Sequence, residues 1–167
     1  MATILLGEQP VHTLGELPQP GSQAPDFTVT GTDFGDVKLS DFVGRKVVLN
    51  IFPSIATGIC QASVRHFNES ADAMSDVVVL TVSHDLPFPL QSFKAAEGIE
   101  TAIMTSAFRS DFGERYGATM KDGKWEGLLS RAVVVLDADH RVVYTEQVPI
   151  IGQEPDYEAA LAALQRA

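Results

Sequence analysis

Two long apolar segments with a helical pattern between them constrain the fold of this chain more than any other feature. Residues 46–52 (KVVLNIF) and 77–83 (VVVLTVS) are rich in β-branched side chains and predict two buried strands. Between them, apolar residues recur at helical spacing and predict a helix from Gly58 to about Met74. The apolar stripe consists of Cys60, Val64, Phe67, Ala71 and Met74. A strand–helix–strand unit of this kind gives parallel strands joined by a right-handed crossover.

The rest of the chain predicts elements that extend this unit into an α/β thioredoxin fold. They are helices at residues 90–97 and 106–117, strands at residues 132–136 and 142–148, and a last helix with Pro155 at its first position. From residue 46 onward the order is β-α-β-α-β-β-α, with the helix at 106–117 as an insertion. A parallel start followed by an antiparallel hairpin and a helix is typical of the thioredoxin architecture.

The N-terminal region predicts a β-hairpin ahead of the thioredoxin elements. Residues 3–6 and 11–14 flank a turn at residues 7–10 that contains glycine and proline. The chain has 167 residues, no repeats and no low-complexity linker, and 45% of its residues are hydrophobic. These properties predict one folded domain over residues 1–167.

The overall charge argues against two classes of partner. Lysine and arginine together number 12, against 22 acidic residues, which gives a formal charge of −10. Nucleic acids and anionic membrane surfaces are bound by clustered cationic side chains, so we expect neither as a partner. The first residues contain no basic segment followed by a long apolar one, so a cytoplasmic location is expected.

The chain contains a single cysteine, Cys60. One cysteine excludes a disulfide within the chain and a cysteine-based zinc cluster. Cys60 lies at the start of the predicted helix, where backbone N–H groups and the helix dipole stabilise an anion such as a thiolate. Free cysteine is also among the residues most often buried. From position alone, a reactive nucleophile and an inert buried thiol are both open.

The residues around Cys60 form the pattern P-x-x-x-T-x-x-C, made by Pro53, Thr57 and Cys60. This pattern resembles the active-site loop of peroxiredoxins. The longer run LNIFPSIATGIC is similar to the thiol peroxidase subfamily, often called atypical two-cysteine peroxiredoxins. The similarity covers nearly the whole chain, including the N-terminal hairpin. Its further blocks are residues 63–65, 85–88, 96–98, 106–109, 130–135 and 154–161.

The resemblance implies catalytic roles for four residues. Cys60 matches the peroxidatic cysteine, whose thiolate attacks a peroxide oxygen and becomes a sulfenic acid. Thr57 matches the residue whose hydroxyl orients the peroxide and contacts the thiolate. Pro53 matches the residue that shields the sulfur from water, and Arg131 matches the cation that favours the thiolate and the charge on the leaving oxygen. Taken singly, Thr57 is also a plain helix cap, Pro53 a loop stiffener and Arg131 a solvated charge at a strand end.

Two positions depart from the family pattern. Lys94 stands where the subfamily usually has a second, resolving cysteine, and Ala56 stands where the family commonly has aspartate. Loss of an acid next to Cys60 favours the thiolate. Loss of the resolving cysteine means that the sulfenic acid must be reduced by an outside thiol, or else remain and oxidise further.

The resemblance therefore implies a thiol-dependent peroxidase that works in a one-cysteine cycle. The expected substrates are hydrogen peroxide and organic hydroperoxides, and the expected reductant is a thioredoxin-like protein or a low-molecular-weight thiol. A homodimer is expected, and no metal, haem or other cofactor. The alternative is a peroxide sensor or redox interaction protein that signals through Cys60 oxidation with little turnover. A thiol–disulfide reductase is disfavoured because the chain has no C-x-x-C pair.

Other candidate sites are weaker. Ser83, His84 and Asp85 are the residue types of a catalytic triad, but neighbours along a chain cannot form that relay. The histidines are scattered, without metal-ligand spacing. Met104, Phe88 and Phe108 can line an apolar peroxide pocket, although packing in the core is favoured for all three.

Overall fold

A seven-stranded mixed β-sheet lies at the centre of the protein, which a computed structural model describes over all residues 1–167. In chain order the strands are β1 (Thr3–Leu6), β2 (Gln9–His12), β3 (Thr28–Gly31), β4 (Asp36–Lys38), β5 (Lys46–Ile51), β6 (Val77–Ser83), β7 (Ile103–Ser106), β8 (Ala132–Leu136) and β9 (Val142–Gln147). The α-helices are α1 (Gly58–Asp72), α2 (Pro87–Glu97), α3 (Phe112–Arg115) and α4 (Tyr157–Arg166), and a short 3₁₀ helix covers Leu39–Phe42.

The topology of the sheet confirms the predicted thioredoxin architecture. The strand order is β4-β3-β7-β6-β5-β8-β9. Strands β5, β6 and β7 run parallel, as a strand–helix–strand unit requires, and β8 and β9 form an antiparallel hairpin on the other side of β5. Strands β1 and β2 form a separate antiparallel hairpin, which confirms the predicted N-terminal extension.

Alternating side chains of β5 pack into two apolar cores on opposite faces of the sheet. Val47, Leu49 and Ile51 lie in one core, whereas Val48 lies in the other, to which α1 and α4 also contribute. The apolar stripe of α1 packs in this second core, where Cys60 is fully buried. Burying a large apolar side chain stabilises a fold by about 1.5–3 kcal/mol. The packing of α1 in this core therefore fixes the position of its first turn, which contains Cys60.

The segment after α2 differs from the prediction. Only the short α3 is helical within residues 106–117, and Ser106 ends strand β7 instead of capping a helix. The sequence predicts no strand there because Thr105 and Ser106 are polar and break the apolar pattern. In the structure, the Thr105 hydroxyl donates to the carbonyl oxygen of Thr81 at 2.7 Å, so this buried group is satisfied within the sheet.

Two helix starts also differ from the prediction. Pro155 precedes the helix cap and is not the first helical residue, because Asp156 caps α4 by accepting a hydrogen bond from the Ala159 N–H at 3.0 Å. Helix α2 begins earlier than predicted, with Pro87 in its first turn, and ends as predicted at Gly98, whose φ is 64°. No helix of the protein combines the length and apolar character needed to cross a bilayer.

The N-terminal hairpin is attached to the segment that follows β9. Its turn is shorter than predicted, because β2 already begins at Gln9. The Leu5 N–H donates to the carbonyl of Pro149 at 2.8 Å, and the Leu5 carbonyl accepts from the Ile151 N–H at 2.9 Å. The hairpin therefore fixes the backbone around Ile151.

Candidate active site

The loop between β5 and α1 holds three of the four predicted site residues. Pro53 is buried in the loop, Thr57 is the N-cap of α1, and Cys60 lies in the first helical turn. The Thr57 side chain accepts a hydrogen bond from the Cys60 backbone N–H at 3.4 Å, so Thr57 acts as a helix cap. The positive end of the α1 dipole consequently lies next to Cys60.

The sulfur of Cys60 accepts two side-chain hydrogen bonds. The Thr57 hydroxyl lies 2.7 Å from Sγ, and Nη1 of Arg131 lies 3.3 Å from it. The cysteine is fully buried, so little water competes with these donors. The sulfur is therefore a hydrogen-bond acceptor for one neutral and one cationic donor in a site closed to bulk water.

Arg131 reaches the sulfur from the position directly before β8. It is only 3% exposed, so it is not a solvated charge at a strand end. Its Nε donates to the carbonyl of Ile151 at 2.7 Å. No aspartate or glutamate forms an ion pair with Arg131. The Ile151 carbonyl and the Cys60 sulfur are therefore the acceptors for the side chain of this buried cation.

Tyr157, in the first turn of α4, lies beside the site and is not among the predicted residues. Its ring stacks on His66 with centroids 3.8 Å apart, and its hydroxyl donates to Glu154 at 3.0 Å. Burial, followed by the hydrogen bond to Glu154, raises the pKa of Tyr157. The Tyr157 ring also meets the Phe67 ring edge-on at 5.3 Å, so it packs against the helix that carries Cys60. Tyr157 belongs to residues 154–161, one of the sequence blocks that carry the family resemblance. Membership of that block is the only feature of the sequence that could have singled out Tyr157.

The two positions that depart from the family pattern donate no hydrogen bond to the sulfur. Lys94 is half-buried in α2, and Ala56 is exposed in the cysteine loop. Helices α1 and α2 are joined by a bidentate ion pair between Arg65 and Glu97, with both N–O distances at 3.0 Å. The hydrogen bond to Arg65 lowers the pKa of Glu97. Lys94 therefore belongs to a helix that is tied to the cysteine helix at its surface.

A thioredoxin-type sheet with a buried cysteine at the start of a helix, contacted by a hydroxyl and a guanidinium, defines the peroxiredoxin class of thiol enzymes. The family model described as Redoxin matches residues 19–161. The chain belongs to the Redoxin family, and within it to the thiol peroxidases, as its relatives indicate.

Curated relatives named thiol peroxidase match nearly the full chain. The protein from Mycobacterium tuberculosis is 55% identical over 164 residues, which cover 98% of this chain and 99% of the relative. The protein from Corynebacterium glutamicum is 51% identical over 152 residues, which cover 91% of this chain and 92% of the relative.

Solved structures of the same type superpose over almost the whole chain. A peroxiredoxin-like protein from Aquifex aeolicus has a TM-score of 0.94 at 30% identity, covering 99% of this chain and 97% of that one. A thiol peroxidase from Chromobacterium violaceum has a TM-score of 0.89 at 21% identity, covering 98% and 95% of the two chains. The chain is thus a peroxiredoxin enzyme that reduces peroxides at the expense of thiols, and its single cysteine fits a one-cysteine cycle.

Proposed function

We propose that Cys60 is the nucleophile of a one-cysteine peroxide cycle and that Thr57, Arg131 and Pro53 assist it. One observation carries the proposal: the only cysteine of the chain is buried and accepts hydrogen bonds from a hydroxyl and from a guanidinium. The proposed substrates are hydrogen peroxide and organic hydroperoxides. Both contain an O–O bond, and its cleavage by Cys60 requires the same help from Thr57 and Arg131 in either substrate.

In the first half of the cycle, the Cys60 thiolate attacks one peroxide oxygen. The S–O bond forms as the O–O bond breaks, and the leaving oxygen takes up a proton to become water or an alcohol. The Thr57 hydroxyl, 2.7 Å from the sulfur, orients the bound peroxide. Arg131 stabilises the thiolate and the charge that develops on the leaving oxygen. Pro53, buried ahead of α1, limits access of water to the sulfur.

In the second half of the cycle, a thiol from outside the chain attacks the sulfur of the Cys60 sulfenic acid. Water leaves and a mixed disulfide forms. A second outside thiol then attacks the mixed disulfide, releases the oxidised reductant and restores the Cys60 thiol. Both thiols come from outside because the chain contains no other cysteine. A low-molecular-weight thiol or a thioredoxin-like protein fits this requirement.

A peroxide sensor is the second candidate, and the burial of Cys60 favours it. The sulfur is fully covered and no resolving cysteine is present, so a large reductant reaches the sulfenic acid only after local opening of the loop. An oxidised state that persists for this reason can act as a signal. The two candidates share the first half of the cycle and differ in the second.

Sustained turnover decides between the two candidates. We expect the wild-type protein to consume many equivalents of hydrogen peroxide or cumene hydroperoxide with at least one of three reductants: dithiothreitol, glutathione, or thioredoxin with its reductase. The control variant Cys60→Ser is expected to consume none, because a serine hydroxyl is far too basic to ionise. Consumption of one equivalent per chain followed by arrest supports the sensor, and wild-type turnover by the serine variant removes Cys60 from the mechanism.

We further propose that the enzyme is a homodimer, as the family resemblance implies. Three phenylalanines form an exposed apolar patch: Phe34, Phe88 and Phe108 are 41%, 67% and 39% exposed. The rings of Phe34 and Phe88 lie 5.2 Å apart, and the Arg109 guanidinium lies 5.3 Å from the Phe108 ring while donating to the Phe34 carbonyl at 3.2 Å. A second copy of the chain that covers this patch removes large apolar rings from water.

Two broader proposals complete the assignment. Residues 1–167 act as one domain, an assignment supported by the backbone bonds between the N-terminal hairpin and the segment after β9. The enzyme works in the cytoplasm, where the reduced thiols that the cycle consumes are maintained. Cell fractionation with detection of the native protein tests this location.

A further inference from the structure

The carboxylate of Asp85 connects the cysteine loop to the central sheet. Its Oδ1 accepts a hydrogen bond from the Ser54 hydroxyl at 2.8 Å, and its Oδ2 accepts one from the Ile55 backbone N–H at 2.7 Å. Oδ2 also accepts from the Ser83 hydroxyl at 2.7 Å. Asp85 therefore takes no part in a catalytic triad with Ser83 and His84, since it binds the serine directly. Two of its three donors belong to the loop that leads to the catalytic cysteine.

The sheet holds Asp85 in place. Ser83 is the last residue of β6, and the hydroxyl of Ser106, the last residue of β7, donates to the Asp85 backbone carbonyl. Both serines are fully buried. The carboxylate is consequently anchored at the ends of two neighbouring parallel strands, which are among the most rigid parts of a domain.

Ser54, which is bonded to Asp85, is in turn hydrogen-bonded to the backbone of Thr57. The Thr57 N–H donates to the Ser54 carbonyl at 3.2 Å, and the Ser54 side-chain oxygen accepts from the Ala56 N–H at 3.1 Å. Ser54 thus fixes a tight turn whose last residue places its hydroxyl 2.7 Å from the Cys60 sulfur. A continuous series of hydrogen bonds runs from Asp85 through Ser54 and Thr57 to the sulfur.

We propose that Asp85 is a positioning residue for the peroxide step, which it serves by setting the place of the Thr57 hydroxyl relative to the Cys60 sulfur. The proposal rests on the proposed roles of Thr57 and Cys60. Asp85 does not touch the reacting atoms in this arrangement. Its main effect is therefore on the alignment of peroxide with the sulfur, because Arg131 still donates to the Cys60 sulfur when Thr57 is displaced.

Two rate measurements on the same variants test the proposal. In Asp85→Ala the Ser54 hydroxyl and the Ile55 N–H lose their acceptor, so the turn loosens and Thr57 shifts. We expect the second-order rate constant for hydrogen peroxide to fall by roughly tenfold to a hundredfold, the scale on which a misplacement of about 1 Å acts. Alkylation of Cys60 by iodoacetamide needs only an accessible thiolate, so its rate is expected to stay the same or to rise.

The matched control is Asp137→Ala. Asp137 is also half-buried and also fixes a loop, since its Oδ1 accepts from the Asp139 and Arg141 N–H groups at 2.9 Å each. It lies at the opposite end of β8 from Arg131. This variant is expected to lose some thermal stability while both rate constants remain at the wild-type value.

The ratio of the peroxide rate to the alkylation rate is the deciding quantity. In Asp85→Ala the ratio is expected to fall below the wild-type value. Asp85→Asn keeps one acceptor oxygen, so its ratio is expected to lie between those of Asp85→Ala and wild type. If the alanine variant does not fold, the asparagine variant decides by the same ratio. A ratio at the wild-type value, whether neither rate changes or both fall together, overturns the role of Asp85. Failure of the wild-type protein to consume peroxide instead overturns the proposed function.

Discussion

At the scale of single residues, the Cys60 sulfur and the Arg131 guanidinium stabilise each other. Arg131 is buried and donates to the Ile151 carbonyl and to the sulfur, but to no carboxylate. A neutral sulfur leaves the buried cation with only uncharged partners, which is energetically unfavourable. In the proposed cycle, a negative sulfur gives this buried cation a charged partner through the contact that is also proposed to act in the peroxide step.

Replacement of Arg131 by methionine removes the positive charge and keeps a side chain of similar volume. We expect Arg131→Met to lower the second-order rate with hydrogen peroxide by roughly two orders of magnitude, the usual effect of losing one electrostatic stabiliser. The ultraviolet absorbance of the thiolate at neutral pH is expected to fall with it. Arg115→Met serves as the control, because the Arg115 side chain is 50% exposed and pairs with Asp111 at the surface. An unchanged rate and absorbance in Arg131→Met would show that the cation does not act on the sulfur.

The sequence predicts the parts of the site that lie close together in the chain. Thr57 and Cys60 share a single helical turn, so their contact follows from the spacing of a cap and a first-turn residue. Arg131 is distant in sequence, and only the family resemblance brings it to the sulfur. The contacts of Tyr157 and Asp85 join several packed elements, and no local pattern in the sequence predicts such contacts.

At the scale of elements, helix α2 meets α1 both through side chains at the surface and through an apolar core that the two helices share. The Arg65–Glu97 ion pair is exposed to water, which screens it, so it adds little stability. The Arg65 guanidinium also lies 5.8 Å from the Phe93 ring, and the buried residues of the helix are Pro87, Leu90 and Phe93. A short helix with so few buried side chains opens locally at low cost.

The position of Lys94 on this helix leads to a prediction about disulfide formation. If Lys94 occupies the resolving position, Lys94→Cys adds a thiol that reaches the Cys60 sulfenic acid once α2 opens. We expect hydrogen peroxide to convert this variant to an intrachain disulfide, detected by intact mass as the loss of two hydrogens. Wild type is expected to gain one oxygen and then a second under excess peroxide.

Two comparison variants make the Lys94→Cys experiment decisive. Lys94→Ser removes the lysine without adding a thiol and is expected to gain oxygens like wild type. Adding Glu97→Gln to Lys94→Cys weakens the Arg65 contact and is expected to speed disulfide formation by a small factor, because an exposed ion pair contributes little to holding α2 closed. Gain of oxygens by both cysteine-containing variants would mean that residue 94 does not reach Cys60 even when the helix is loosened.

The spacing of apolar residues along each element explains why the sequence predicts α1 but not β7. The α1 stripe faces one apolar core throughout, so its spacing appears directly in the sequence. Strand β7 contains Thr105, whose buried hydroxyl is bonded inside the sheet. A strand whose polar groups are satisfied by its neighbours shows no apolar pattern of its own.

At the scale of the whole molecule, distant segments combine to hold the site. The N-terminal hairpin bonds Ile151 through Leu5, and the Ile151 carbonyl binds Arg131, which lies against Cys60. The first residues of the chain thereby support a cation placed near its other end. Asp85 supports the cysteine loop from the opposite side, through the ends of β6 and β7.

The apolar patch of Phe34, Phe88 and Phe108 is a property of the whole surface that the sequence does not predict. Core packing is the favoured prediction for Phe88 and Phe108, yet they are 67% and 39% exposed, so that prediction is wrong for both. An apolar residue type alone does not distinguish the inside of a domain from a surface that another chain covers.

Substitution of Phe88 tests whether the apolar patch forms the proposed dimer interface. We expect Phe88→Ser to shift sedimentation of the protein from dimer toward monomer, because it removes the most exposed ring of the patch. Val43→Ser is the control: Val43 is 76% exposed and lies directly after the 3₁₀ helix, outside the three-ring patch, so the dimer is expected to persist.

The salt dependence of the wild-type dimer separates apolar association from ion pairing. Each chain carries a formal charge of −10, so two copies repel at low ionic strength. Salt screens this repulsion and leaves the burial of the phenylalanine rings intact. The dimer is therefore expected to become tighter as sodium chloride is added, as measured by sedimentation over a range of protein concentrations. A dimer that dissociates with added salt would be held by charges, and one that survives Phe88→Ser at every salt concentration would use a different face.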